Sequence, residues 1–144
     1  MKNSIAASVL TFTVLIAPAC LSTSAIAQEL PTPVTSVVLT GDRLSLSLTN
    51  QTGSPVEYQA IGDTESRVLP PNSTVTLRDL RIPVSLLFRS QAVSDVGDRT
   101  GLITTDVRPN TSTGSLDITF KPTSDPLNLR STVSVDANGN VYAY

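Results

Sequence analysis

Leu44, Leu46 and Leu48 alternate with Ser45, Ser47 and Thr49. That period of two constrains the fold more than any other feature of the chain. Successive side chains of a strand point to opposite faces, so the alternation builds a ribbon with leucines on one side and hydroxyls on the other. The same grammar returns in Val56–Ala60, in residues 74–77 and 116–120, and in Thr132–Val135. Residues 34–39 and 103–107 are further candidate strands. Residues 84–89 bring Leu86, Leu87 and Phe88 together, which predicts a strand covered on both faces. No segment after residue 30 sustains a helical period.

Turn residues separate these runs at short spacing. Gly41-Asp42 suits a tight hairpin between residues 34–39 and 44–49, because Gly accepts the positive φ such turns require. Asn138-Gly139, flanked by residues 133–135 and 141–144, is the strongest hairpin signal in the chain. About nine strands without a helix imply an all-β fold, since a sheet with one apolar face must bury it against another. The expectation is an antiparallel, immunoglobulin-like β-sandwich, with a small closed β-barrel as the alternative. Residues 45–48 echo residues 115–118, a match explained by shared strand-and-turn grammar rather than by duplication.

The first 27 residues follow a different grammar. Lys2 gives a positive start, residues 5–19 are uncharged and rich in Ala, Val, Leu and Ile, and Ala25-Ile26-Ala27 forms a small-x-small cleavage pattern. The expected cut lies between Ala27 and Gln28. Residues 28–144 would then form one all-β domain, periplasmic or secreted, with no membrane insertion after cleavage. A spanning helix fits less well, because Ser8, Thr11, Thr13 and Pro18 interrupt the apolar run. The other alternative is a lipoprotein anchored through Cys20, although Ala17 and Pro18 depart from the usual lipoprotein pattern.

What the chain lacks excludes whole classes of chemistry. It has no His and no Trp, and its single Cys lies within the leader. The mature domain therefore has no disulfide and must rely on packing and backbone pairing. Metal centres built on His or Cys ligands are not expected, nor is any cofactor. Ser–His–Asp and Cys–His catalysis need a residue the chain does not contain. The net charge is −2, and no basic run exists to favour nucleic acid.

The remaining polar clusters each have a chemical and a structural reading. Asp136, Asn138 and Asn140 alternate as calcium ligands do, but Gly139 comes too early and no late Glu follows. A turn stabilised by Asp136 and Asn138 is the expectation. Asp95, Asp98 and Asp106 supply the carboxylates that glycoside cleavage would need, but the aromatic platforms of a sugar groove would have to come from Phe88, Phe120, Tyr58, Tyr142 and Tyr144, of which the two phenylalanines lie in core-like strands. Asp63-Thr64-Glu65 lacks the Gly of an aspartic-protease motif, and Asp98-Arg99-Thr100-Gly101 carries an inserted Arg. Asn50, Asn72 and Asn110 open Asn-x-Ser/Thr acceptor patterns in expected loops. Tyr142 and Tyr144 share one strand face, where they complete a sheet surface with their hydroxyls at the rim, the other reading being an aromatic contact patch for a partner or glycan. The polar stretch around Asp95, Asp98 and Arg99 is a candidate partner contact.

Residues 48–53, 56–59, 62–64, 67–70, 80–83 and 87–89, with Gly139-Asn140-Val141-Tyr142, resemble a group of small exported β-proteins common in cyanobacteria. The resemblance spans most of the mature chain and implies a fold and an exported location, but no activity. Asn50-Gln51-Thr52-Gly53 is also similar to the first binding loop of chagasin-like cysteine-protease inhibitors. It lacks that loop's Pro and one Thr, and the family's other two loops have no counterpart here. The chain is therefore read as an exported, non-catalytic binding or structural module with an envelope protein or a glycan as partner. The alternatives are a carboxylate-only hydrolase and a chagasin-like inhibitor.

Overall fold

The computed structural model describes residues 31–92 and 101–144. Among the described residues, ten strands form two open sheets. They are β1 (Thr35–Ser36), β2 (Arg43–Asn50), β3 (Val56–Ala60), β4 (Arg67–Leu69), β5 (Thr74–Arg81), β6 (Val84–Ser90), β7 (Ile103–Asn110), β8 (Ser115–Pro122), β9 (Thr132–Val135) and β10 (Asn140–Ala143). The six-stranded sheet has the order β1-β10-β9-β6-β3-β4, and the four-stranded sheet the order β5-β2-β8-β7. Each sheet has two edges, so the fold is a sandwich and not a closed barrel. One 3-10 turn, Pro126–Asn128, begins at Asp125, whose side chain accepts from the Leu127 N–H.

The alternating runs form strands because each buries one face. Leu44, Leu46 and Leu48 are buried while the residues between them are partly open. β3 repeats this with Val56, Tyr58 and Ala60 inside. The two sheets meet through rings as well as aliphatic chains. Phe88 on β6 and Phe120 on β8 lie 4.8 Å apart between centroids at a 43° tilt, a favourable edge-biased geometry.

Three sequence expectations need correction. β1 and β2 do not form a hairpin: β1 pairs with β10 in one sheet, and β2 pairs with β5 and β8 in the other. Gly41, at φ 91°, carries the chain between sheets. β6 is not covered on both faces, because Leu87 points outward and is 43% exposed. Pairing is not wholly antiparallel either, since β2 and β8 run parallel. Their register sets Ser45 beside Ser115, Leu46 beside Leu116, Ser47 beside Asp117 and Leu48 beside Ile118. The two echoing segments are therefore in-register neighbours, and the same inside/outside constraint acts on both.

Two local devices shape the sandwich. On edge strand β5 the register slips between Leu44/Leu80 and Leu46/Leu77, and Asp79 takes a positive φ of 58°. Its carbonyl accepts a 2.7 Å bond from Arg43 Nη1. Such bulges twist an edge away from unwanted pairing. At the other end, Gly139 lies so close to the residue after β1 that a Cβ there would collide with the Val37 carbonyl oxygen. The Gly139 carbonyl in turn accepts from the Val37 N–H at 2.9 Å.

Candidate binding face

The outward face of the six-stranded sheet is the candidate site, and its cross-strand rows define it. Gln59 pairs with Leu87, and Leu87 with Thr132. Thr132 and Tyr144 exchange both backbone hydrogen bonds, at 3.1 and 2.9 Å. One row thus carries an amide, an exposed leucine, a hydroxyl and a phenol ring. A second row sets Ser85 beside Ser134 and Ser134 beside Tyr142, with the two serine hydroxyls 3.0 Å apart. A third sets Val68 beside Glu57 and Glu57 beside Arg89.

The first and third rows flank a shallow depression of about 280 Å³ bordered by Glu57, Gln59, Ser66, Leu87, Arg89 and Thr132. Glu57 is tied down inside it. Ser66 donates to Oε1 at 2.6 Å, and Arg89 Nε donates to Oε2 at 2.8 Å. The Ser66 hydroxyl first, and then Arg89, hold its carboxyl below the ordinary range. It is ionised and neutralised, which suits a fixed polar wall rather than a proton donor.

Beside the depression, the Tyr142 and Tyr144 rings lie nearly parallel, 6.5 Å apart at 12°. The Tyr142 hydroxyl donates to Asp136 Oδ2 at 3.3 Å. Desolvation, followed by the Asp136 charge, raises the Tyr142 pKa, so the phenol stays neutral. Tyr144 is half exposed. The pair completes the sheet surface as the sequence implies.

Other sequence candidates resolve into structural roles. Asp136 Oδ1 accepts from the N–H groups of Asn138 and Asn140, at 2.8 and 2.9 Å, and Oδ2 from the Asn140 amide at 2.9 Å. The Asn140 side chain is the chief reason its carboxyl sits low. This is the expected hairpin turn, with Asp136 as its organiser and Asn138 contributing its backbone. Asp106 is held by Arg108 at 2.8 Å and Lys121 at 2.9 Å, which lower its pKa in that order. Asp63 Oδ2 accepts from the Arg81 N–H, and the Thr64 hydroxyl accepts from the Ala60 N–H at 3.0 Å. Neither is arranged as a protease motif.

Asn50 departs furthest from its sequence reading. It is fully buried rather than displayed in a loop. Its amide donates to the carbonyls of Ser54, Leu69 and Pro70, at 2.8, 3.0 and 3.1 Å. Its oxygen accepts from the Thr52 N–H and hydroxyl. The side chain is a rivet between β2, the following turn and β4, out of reach of a glycosyl donor or a protease.

A larger hollow, about 400 Å³, lies between Val38 and Thr40 and the β7–β8 turn. It is walled by turn residues and holds no ionisable side chain. Among the described residues, no group of three His, Cys, Asp or Glu side chains could hold a metal ion. No described helix is long and apolar enough to cross a membrane. Ala27, Gln28, Asp95, Asp98 and Arg99 lie outside the described residues.

Sequence reading missed this face because its key residue hides inside an apolar run. Leu87, between buried Leu86 and Phe88, is the one that alternation assigns to solvent. Applying the period of two strictly to that run would have exposed it. No protein-family model, curated protein or solved structure matches the chain.

Proposed function

We propose that the chain is an exported, non-catalytic binding module of the cell envelope or the extracellular space. The outer face of the six-stranded sheet would be its contact surface. Lys2, the apolar stretch and Ala25-Ile26-Ala27 support export and removal of residues 1–27. The observation that carries the binding role is the Gln59–Leu87–Thr132–Tyr144 row, where Leu87 is 43% and Tyr144 50% exposed. Apolar groups rimmed by polar ones on a sheet face are the usual signature of a contact surface.

The direction of the pKa shifts favours this reading over a carboxylate hydrolase. A general acid needs a raised pKa, whereas donors hold Glu57, Asp106 and Asp136 low; Asp95 and Asp98 lie outside the described residues. The burial of Asn50 weighs against a protease-inhibitor loop at residues 50–53.

The test uses secreted protein. N-terminal sequencing should find Gln28, and a chain beginning at Met1 or a lipidated Cys20 would overturn the export reading. Wild type and Leu87→Asp are then compared for capture of envelope components. Loss of capture with unchanged Tm supports the face, and undiminished capture by the folded variant removes it.

A further inference from the structure

The Gln59–Leu87–Thr132–Tyr144 row spans four adjacent strands, roughly 14 Å at ordinary strand spacing. Its chemistry changes along its length in a way that restricts the ligand. At one end a phenol ring lies beside a parallel partner whose own hydroxyl is anchored on Asp136. That end is a pre-set apolar plate. Leu87 continues the apolar surface in the middle. Around it stand the Gln59 amide, the Thr132 and Ser66 hydroxyls and the Glu57–Arg89 pair, all lining the depression.

Two exclusions narrow the occupant. β3, β6 and β9 are interior strands with neighbours on both sides, so their backbone groups are committed to the ladder. A peptide cannot bind there by adding a strand, the mode in which main-chain bonds supply affinity. The ionic groups lining the depression are Glu57 and Arg89, and they neutralise each other at 2.6 Å. The depression itself thus carries no surplus charge, and the Asp136 carboxylate beneath the tyrosine pair, bonded only to neutral donors, disfavours a polyanion.

The geometry points to a neutral polysaccharide as the ligand of this face. A pyranose ring has an apolar C–H side for Tyr144 and Leu87. Its hydroxyl rim can be both donor and acceptor to Gln59, Thr132, Ser66 and the outer edges of the Glu57–Arg89 pair. Tyr142, anchored through its hydroxyl on Asp136, backs the Tyr144 ring and loses little freedom on binding. This inference rests on the binding-module reading and names its ligand class.

The test is calorimetric titration of the purified chain with cellohexaose, maltohexaose and heparin. Tyrosine emission serves as a second signal, since the chain has no Trp. Saturable binding of at least one hexaose is expected, with heparin weaker. Tyr144→Ala and Gln59→Ala should each weaken it by about tenfold or more, with Tm unchanged. Thr76→Ala on the opposite sheet should bind as wild type. Absence of saturable hexaose binding, preference for heparin, or full affinity in Tyr144→Ala and Gln59→Ala would each overturn the inference. If the sugars fail while Leu87→Asp still abolishes capture of an envelope protein, the ligand class is wrong and the binding face stands. If Leu87→Asp also captures normally, both readings fall.

Discussion

The two outer faces of the sandwich are built by the same alternation and differ in what it leaves outside. On the four-stranded sheet the outward rows are Thr74–Thr49–Thr119–Asp106 and Thr76–Ser47–Asp117–Arg108. They are hydroxyls and charges throughout, and Thr49 and Thr74 bond to each other at 3.0 Å. On the six-stranded sheet, Leu87, Val68 and Tyr144 stand among the polar groups, each at least 43% exposed. The first face follows the folding rule of apolar in and polar out. The second breaks it at particular positions, and the proposed contact role rests on those departures.

The sharpest way to break this comparison is to make one substitution on both sides of the sandwich wall. Leu46 is 1% exposed, so Leu46→Asp buries an unpaired carboxylate and should prevent folding at a cost above about 5 kcal/mol. Leu87→Asp should leave stability within about 0.5 kcal/mol of wild type, because its site is already wet. Circular dichroism with urea melts checks both, and a folded Leu46→Asp would put the facing of β2 in doubt.

Asn50→Ala comes next. It removes a buried amide that satisfies three carbonyls and should cost roughly 2–4 kcal/mol by urea melt. A loss under about 1 kcal/mol would mean that water replaces the rivet readily. Thr105→Val has the opposite sign. Its hydroxyl is the one buried side-chain polar atom without a partner among the described residues, so the change should be neutral or stabilise by up to about 1 kcal/mol.

The smallest effect is the acid limb. Glu57, Asp106 and Asp136 have lowered folded-state pKa values. Their contribution is therefore complete above the unfolded carboxylate range, near pH about 4, and is lost as pH falls through the folded values. Tm should be flat from neutral pH downward and decline only below that range. Asp136→Asn should soften the decline. A Tm that falls between pH 7 and 5 would contradict these assignments.

Much of the fold was legible because a period of two is a direct statement about facing. β3 and β9 match the expected bounds, and the Asn138-Gly139 hairpin pairs Val135 with Val141 as its flanks imply. Residues 34–39 misled because Val34, Val37, Val38 and Leu39 look strand-like without alternating. Only Val37 is buried, and Val38 is 76% exposed. β4 escaped because three residues carry no period. The parallel β2–β8 pairing joins segments far apart in sequence, which local grammar cannot rank. The proposed contact face was the least legible part, since it assembles from β3, β6, β9 and Tyr144 only after the register is set.

Pairing between the first strand and the last has a consequence in time. Thr35 meets Val141, Ser36 meets Asn140, and the Val37 N–H is held by the Gly139 carbonyl. A chain emerging from its N-terminus must hold β1 without a neighbour until nearly the last residue is free. The β2–β8 pairing waits almost as long. Such non-local closure delays folding. The β3–β4, β3–β6 and β7–β8 pairs can form earlier, but the six-stranded sheet is completed only when β10 arrives, and under the export proposed above the sandwich would stay open until then.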